Sequence, residues 1–90
     1  MQFKFDPKKD KENIANHGLS LSFAEKLVWD EALVWVDQRF EYDEIRMIAL
    51  APEGNTLYYV AFVDRDEIRR PISLRRAERK EVKYYVQNFN

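Results

Sequence analysis

Four consecutive β-type segments in this sequence leave few folds open. They are LVWVD, EIRMIALA, TLYYVAFVD and IRRPISL, all short and rich in β-branched and aromatic residues. Only PEGN and RDE separate the last three, so we expect these strands to form an antiparallel meander. TLYYVAFVD is apolar on both faces, which predicts a central strand. Pro71 cannot donate a ladder hydrogen bond and favours an edge or a bulge.

Helical signals flank these segments. QFKF predicts a short first strand, after which Asp6 caps a helix that starts at Pro7 and runs to about Asn16. Gly18 suits the left-handed end of that helix, and Ser20 can cap a second one. The last helix is predicted from about residue 76, with an apolar stripe of Val82, Tyr85, Val86 and Phe89. The predicted order is β-α-α-β-β-β-β-α. This order indicates one α+β domain (1–90) with a mainly antiparallel sheet packed by helices.

Composition narrows the function classes. With 90 residues and 46% hydrophobic side chains, the chain predicts one small core. It has no cysteine, which excludes disulfides, a thiolate zinc site and a cysteine nucleophile. We find no Gly-rich phosphate loop, nucleophile elbow or zinc motif, and expect neither metal nor cofactor. No apolar segment reaches the length of a membrane helix, so we expect a cytoplasmic protein without membrane contact.

Charge is segregated along the chain although the formal net charge is only −1. Residues 25–53 hold eight acidic and three basic side chains, whereas residues 65–83 hold eight basic and four acidic ones. The basic half is therefore a candidate surface for an anionic partner.

Strand alternation predicts a cluster of arginines on one sheet face. Arg69, Ser73 and Arg75 would share a face, with Arg70 on the opposite, apolar face of the strand. If Arg46 points the same way from a neighbouring strand, with Glu44 close by, the guanidinium groups would suit phosphate. The alternative is a structural ion-pair ladder across the strands.

Three further features carry weaker signals. Arg76, Arg79, Lys80 and Lys83 have helical spacing and form either a phosphate-binding stripe or an ordinary solvated face. His17 is the only histidine and serves either as a general acid or base or as a cap for helix-end carbonyls. The acidic loop DQRFEYDE gives a weak indication of Mg²⁺ binding.

Taken together, the motifs FDPKKDKENIANHGLS, YDEIRMIAL and ISLRRAERKEVKYY resemble the BrnT toxins of type II toxin–antitoxin systems. The resemblance spans nearly the whole chain. The matching positions are Phe5, Asp6, Pro7, Lys9, Asn13, His17, Gly18, Glu44, Arg46, Ile72, Ser73, Arg75, Arg76, Ala77, Glu81 and Tyr84 or Tyr85.

The resemblance implies a RelE-like fold and metal-independent RNA cleavage, in which the 2′-hydroxyl attacks the adjacent phosphate. It implies Arg46 and Arg75 as stabilising cations, Glu44 as the base and His17 or Lys9 as the acid. It implies Arg76 and Lys80 as phosphate guides. Together with the sheet-face and helix patterns above, the predicted phosphate-binding residues are Arg69, Ser73, Arg76, Arg79, Lys80 and Lys83.

The resemblance also implies partners. The expected partner protein is a BrnA-type antitoxin of ribbon-helix-helix type, with dimerisation through that antitoxin and operator DNA bound only through it. Two other functions remain open from the residues: a non-catalytic module that binds RNA or protein through the same basic surface, and a structural interaction protein whose hydrophobic edge strand pairs with a partner.

Overall fold

Five strands form one mixed sheet in the computed structural model, which describes residues 1–39, 41 and 43–89. The strands are β1 (Gln2–Phe3), β2 (Leu33–Val36), β3 (Met47–Glu53), β4 (Thr56–Arg65) and β5 (Ile68–Arg76). Their spatial order is β1-β5-β4-β3-β2; β1 runs parallel to β5, and every other pair is antiparallel. The α+β class, the meander and the central position of β4 are thereby confirmed.

The helical elements differ in part from the prediction. They are α1 (Pro7–His17), two 3₁₀ segments (Leu21–Lys26 and Trp29–Glu31) and α2 (Arg79–Asn88). The predicted second α-helix is wrong, because this segment forms a 3₁₀ helix. Its residues Leu21, Ala24 and Leu27 are buried at a spacing of three, the period of a 3₁₀ helix, whereas Val28 is exposed. No helix in the described part of the chain is both long and apolar enough to cross a membrane.

The ends of α1 follow the predicted signals. The Asp6 carboxylate accepts a hydrogen bond of 2.9 Å from the Lys8 amide, and Pro7 takes the first helical position. Gly18 has φ +71°, and its N–H donates to the Ile14 carbonyl at 2.8 Å. This left-handed residue ends α1 at His17 and places the histidine at the surface.

A β-bulge in β5 decides which side chains share a face. Ala61 of β4 pairs with Ser73, but Phe62 pairs with Pro71, so Ile72 is an extra residue in β5. Both predicted settings for Pro71 apply, because Pro71 lies next to the bulge and beyond the two residues of β5 that pair with β1. The extra residue shifts by one the alternation of side chains between the two sheet faces. The face of an arginine before Ile72 therefore cannot be inferred from the face of one after it by counting in twos.

The sheet has two distinct faces. The inner face, covered by α1 and the first 3₁₀ segment, carries the buried cluster of Ala49, Ala51, Tyr58, Val60, Phe62 and Leu74. The outer face carries the alternate positions, among them Leu50, Tyr59, Ala61 and Arg75. Side chains of α2 contact this outer face. The Tyr85 hydroxyl also donates to the Glu31 carbonyl at 2.6 Å and links α2 to the second 3₁₀ segment.

Asn13 joins α1 to the open edge of β5. Its side-chain N–H groups donate to the carbonyls of Leu74 and Leu19, both at 2.8 Å, and its oxygen accepts from the Leu74 amide at 2.9 Å. Strand β1 pairs only with Ile68 and Arg69, so its pairing with β5 does not extend as far as Leu74. The buried Asn13 amide therefore satisfies the Leu74 backbone groups as a neighbouring strand would.

Candidate functional site

Arg75 is the centre of the outer-face site. It lies on β5 directly opposite Tyr59 of β4, and its guanidinium carbon sits 4.0 Å from the centre of the Tyr59 ring. Glu81, in the first turn of α2, accepts from both terminal nitrogens of Arg75, at 2.8 and 2.9 Å. A third bond of 3.2 Å runs from Nη1 to the Arg76 carbonyl. These contacts fix the plane and position of the guanidinium group.

One edge of the Arg75 guanidinium is still open. The three hydrogen bonds use both hydrogens of Nη1 and one of Nη2. This leaves Nε–H and the second Nη2 hydrogen, which form the other edge of the fork, without a hydrogen bond to any described residue. The Arg75 side chain is 28% exposed. A fixed guanidinium with one open edge can bind two oxygens of a phosphate.

Glu81 has two structural roles at once. Its Oε1 accepts from the Glu78 amide at 2.7 Å as part of a capping box, and the same carboxylate holds Arg75. The hydrogen bond from Arg75 is the main cause that lowers the pKa of Glu81, and the bond from the Glu78 backbone adds to it. The start of α2 is thereby coupled to the position of Arg75.

We predict a pH-dependent stability difference between the wild type and Glu81→Gln. Because the folded-state pKa of Glu81 lies below its ordinary value of 4.5, the carboxylate stabilises the fold fully above that value, and this contribution is lost as the pH falls through the folded-state pKa. Urea unfolding should give a difference of about 1–2 kcal/mol at pH 7 that shrinks below about pH 4. The exposed Glu25→Gln serves as control and should show almost no difference. A Glu81→Gln difference that is constant with pH would contradict the coupling.

Tyr59 lies among charged groups on the same face. Burial is the largest effect on its pKa and raises it, while the nearby positive charges of Arg39 and Arg75 act in the opposite direction. Asp37, which is buried, accepts from Nε and Nη2 of Arg39, both at 2.9 Å. The ordinary tyrosine pKa already lies well above neutral pH and the shift is upward, so the Tyr59 hydroxyl stays protonated and can donate a hydrogen bond.

His17 and Arg75 line the same surface cleft. This cleft, of about 490 Å³, lies between the end of α1 and the end of β5 and is also lined by Arg76 and Glu78. It brings the His17 imidazole to the same cleft as the fixed guanidinium. Lys9, also a predicted acid, is exposed on α1 about two turns before His17.

The predicted contact between Glu44 and Arg75 is wrong. Glu44 lies before β3 and forms an exposed ion pair of 2.9 Å with Arg65, while Glu81 is the carboxylate that holds Arg75. Glu44 and Arg46 do line one cavity together, of about 270 Å³, with Asp37 and Asp43. No group of three potential metal ligands occurs among the described residues of this loop or elsewhere in residues 1–39, 41 and 43–89.

The predicted common face of Arg69, Ser73 and Arg75 is also wrong for Arg69. Its guanidinium carbon lies 4.4 Å from the Trp29 ring centre and 4.5 Å from that of Phe62, on the inner face. Both of its bonds to Asp64 measure 2.8 Å. The extra residue at the bulge causes this reversal, and it also places Arg70, opposite Val63, on the outer face rather than on the predicted apolar one.

The predicted basic stripe is divided between two elements. Arg76 is the last residue of β5, whereas Arg79, Lys80 and Lys83 lie on α2 and line a shallow groove of about 480 Å³ with Glu78. All four basic residues are exposed. Lys80 lies 3.9 Å from Glu78, a distance that leaves its ammonium group largely in solvent. Sequence reasoning gave Glu81 only a matching position in the family resemblance and no role in the site. The spacing of Glu78 and Glu81, three residues apart at a helix start, was the available signal for its role in capping α2.

The fold and the site define a class: a small α+β protein that holds a fixed arginine at the centre of an exposed basic surface. The chain belongs to the BrnT family, described as ribonuclease toxins of type II toxin–antitoxin systems, whose family model matches residues 5–81. This membership confirms the predicted family and implies an RNA target and an antitoxin partner. A search of curated proteins found no match to the chain.

Proposed function

We propose that this protein is a RelE-like, metal-independent endoribonuclease that acts in the cytoplasm. The observation that carries the proposal is Arg75, which is held by Tyr59 and Glu81 in a partly exposed position with one guanidinium edge free of hydrogen bonds to the described residues. A cation fixed before the substrate arrives needs no reorganisation as negative charge develops on phosphorus. Arg76, Arg79, Lys80 and Lys83 extend the positive surface and guide the RNA backbone, with Ser73 beside Arg75 on the same strand.

The proposed reaction is an internal transfer at phosphorus. The 2′-oxygen forms a bond to the adjacent phosphorus, the bond from phosphorus to the 5′-oxygen breaks, and the products carry a 2′,3′-cyclic phosphate and a 5′-hydroxyl. A base removes the 2′-hydroxyl proton and an acid protonates the leaving oxygen. Arg75 binds the phosphate oxygens, and Arg46 adds positive charge if the RNA reaches its cavity.

Among the residues predicted to move protons, His17 has the strongest structural support. It lines the same cleft as Arg75, and an imidazole ring can both donate and accept a proton. Glu44 and Lys9 remain proposals from the family resemblance, and Glu44 would have to leave Arg65 to act as the base.

The proposed partner is a BrnA-type antitoxin of ribbon-helix-helix type. An acidic segment of it would cover the basic surface, compete with RNA and join toxins into a dimer-based complex. Operator DNA would contact the complex only through the antitoxin.

A non-catalytic RNA-binding module is the second candidate. It is favoured by the separation of Glu44 from Arg75, since a site without its base would bind RNA and leave it intact.

Product analysis tests the proposed reaction. We expect end-labelled RNA to be cleaved in the presence of EDTA, to yield 2′,3′-cyclic phosphate ends and to resist cleavage where the attacking hydroxyl is 2′-O-methylated. His17→Ala should slow cleavage at least about 100-fold, whereas Lys11→Ala on the exposed side of α1 should not. RNA binding by the wild type without these products would reject the nuclease in favour of the binding module.

A further inference from the structure

A second pocket adjoins the Arg75 site, and Glu81 belongs to both. It has a volume of about 400 Å³, lies between β2 and α2, and is lined by Trp35, Leu50, Lys80, Glu81 and Tyr84. Trp35 and Tyr84 are 37% and 51% exposed, so both aromatic side chains are accessible from solvent. The volume is within the range of small-molecule sites and exceeds that of one planar nucleobase.

The two aromatic rings give the pocket a shape suited to a flat ligand. The ring centres are 6.0 Å apart and the ring planes meet at 74°. A planar ring that stacks on one aromatic side chain would therefore meet the edge of the other, and edge-to-face contact is a favoured aromatic arrangement. Leu50, which is almost fully buried, closes the bottom of the pocket with an apolar surface.

The charges around the pocket are those required by a nucleic acid strand. Lys80 lines both this pocket and the groove of Glu78, Arg79 and Lys83. Glu81, which also lines the pocket, accepts hydrogen bonds from both terminal nitrogens of Arg75. An unpaired base in the pocket would thus have Lys80 at the pocket wall, and Arg75 beyond Glu81, as cations for its flanking phosphates. An aromatic platform beside a basic groove is the usual arrangement for binding single strands.

We propose that the Trp35–Tyr84 pocket binds one unpaired base of a single-stranded RNA whose phosphate contacts Arg75. This inference rests on the proposed function and adds the substrate class, because a base inside a duplex could not enter the pocket. Stacking carries the binding, since hydrogen bonds from Arg75 and the Glu78 amide already use most of the acceptor capacity of Glu81. The site therefore accepts different bases and selects single strands over duplexes.

The test compares two short 2′-O-methyl oligonucleotides of equal length and charge, one with adenine bases and one abasic, neither of which can be cleaved. Fluorescence anisotropy should show that the wild type binds the base-bearing strand about tenfold or more tightly than the abasic one. Trp35→Leu and Tyr84→Leu should reduce this ratio severalfold, and 2-aminopurine in the strand should be quenched less by either variant. The control Val86→Ala removes apolar surface from α2 outside the pocket and should leave the ratio unchanged.

The outcomes separate this inference from the proposed nuclease. If the wild type cleaves RNA but the ratio is the same in Trp35→Leu and Tyr84→Leu as in the wild type, the base pocket is wrong and the nuclease stands. If the wild type neither cleaves RNA nor binds either strand, the proposed function fails and the pocket fails with it. Circular dichroism and thermal unfolding of both variants establish that the folded protein is being compared.

Discussion

Arg75→Lys should lose RNA cleavage at least about 100-fold while the protein remains folded, since a fixed donor to developing phosphate charge typically contributes a factor of that size. Lysine keeps the positive charge but is a single point donor, so it cannot bind Glu81 with one edge and phosphate with another. The guanidinium also covers the Tyr59 ring at 4.0 Å, a contact that an ammonium group cannot reproduce as a planar stack. Arg75→Ala should lose the same activity, and this substitution also removes the positive charge.

The measurement is single-turnover cleavage of a labelled RNA, with affinity for a 2′-O-methyl strand determined in parallel. Lys11→Ala is the matched control, because it removes one exposed positive charge from a residue that does not line the cleft of His17 and Arg75. For a catalytic role, the cleavage rate should fall much further than the affinity. An undiminished rate in Arg75→Lys would remove the shaped guanidinium from the mechanism.

Asn13→Ala should lower the free energy of unfolding by about 2–4 kcal/mol, a large loss for a polar residue outside the site. The change removes three hydrogen bonds of 2.8–2.9 Å and leaves the N–H and C=O of Leu74 without partners in a buried position. Asn13→Asp should destabilise the protein as well at pH 7, because a carboxylate keeps the acceptor but places a charge against two carbonyl oxygens.

Urea unfolding at pH 7 measures both variants. Asn16→Ala on the same helix is the control, since Asn16 is exposed and the intrinsic helix preference changes by the same amount. A loss in Asn13→Ala no larger than that of Asn16→Ala would show that the Asn13 amide does not substitute for a strand at the β5 edge.

Local signals predicted most elements of this fold because they depend on residues close in sequence. Asp6-Pro7 and Gly18 fix α1 through contacts within a few residues, and the confirmed turns at Gly54-Asn55 and Asp66-Glu67 connect adjacent strands. The second helix was misjudged for the same reason. In a sequence, apolar residues three apart fit a 3₁₀ helix as well as an α-helix, whose apolar residues recur at a mixture of three and four. Packing against the sheet decides which of these residues are buried, and it therefore decides between the two helix types.

The site was predicted less well because its geometry depends on pairing across the sheet. Arg75 was identified correctly as an outer-face residue, but the bulge at Ile72 moved Arg69 to the inner face, where it pairs with Asp64. Glu44 was expected beside Arg75, yet β3 begins only at Met47, so Glu44 stands before the strand and reaches Arg65. A register shift of one residue reverses a side chain, and although Pro71 indicated an edge or a bulge, the sequence did not show which residue would be the extra one.

The sequence by itself determined the α+β class, the run of β-strands, the ends of α1 and the BrnT family, since all of these rest on local residue types and their order along the chain. The tertiary structure alone decided which carboxylate holds Arg75, which arginines share its face and which aromatic side chains stand beside it. Glu81 reaches Arg75, and Trp35 meets Tyr84, only after α2 has folded back over the sheet. Such contacts depend on strand register and helix placement, which the whole core sets together.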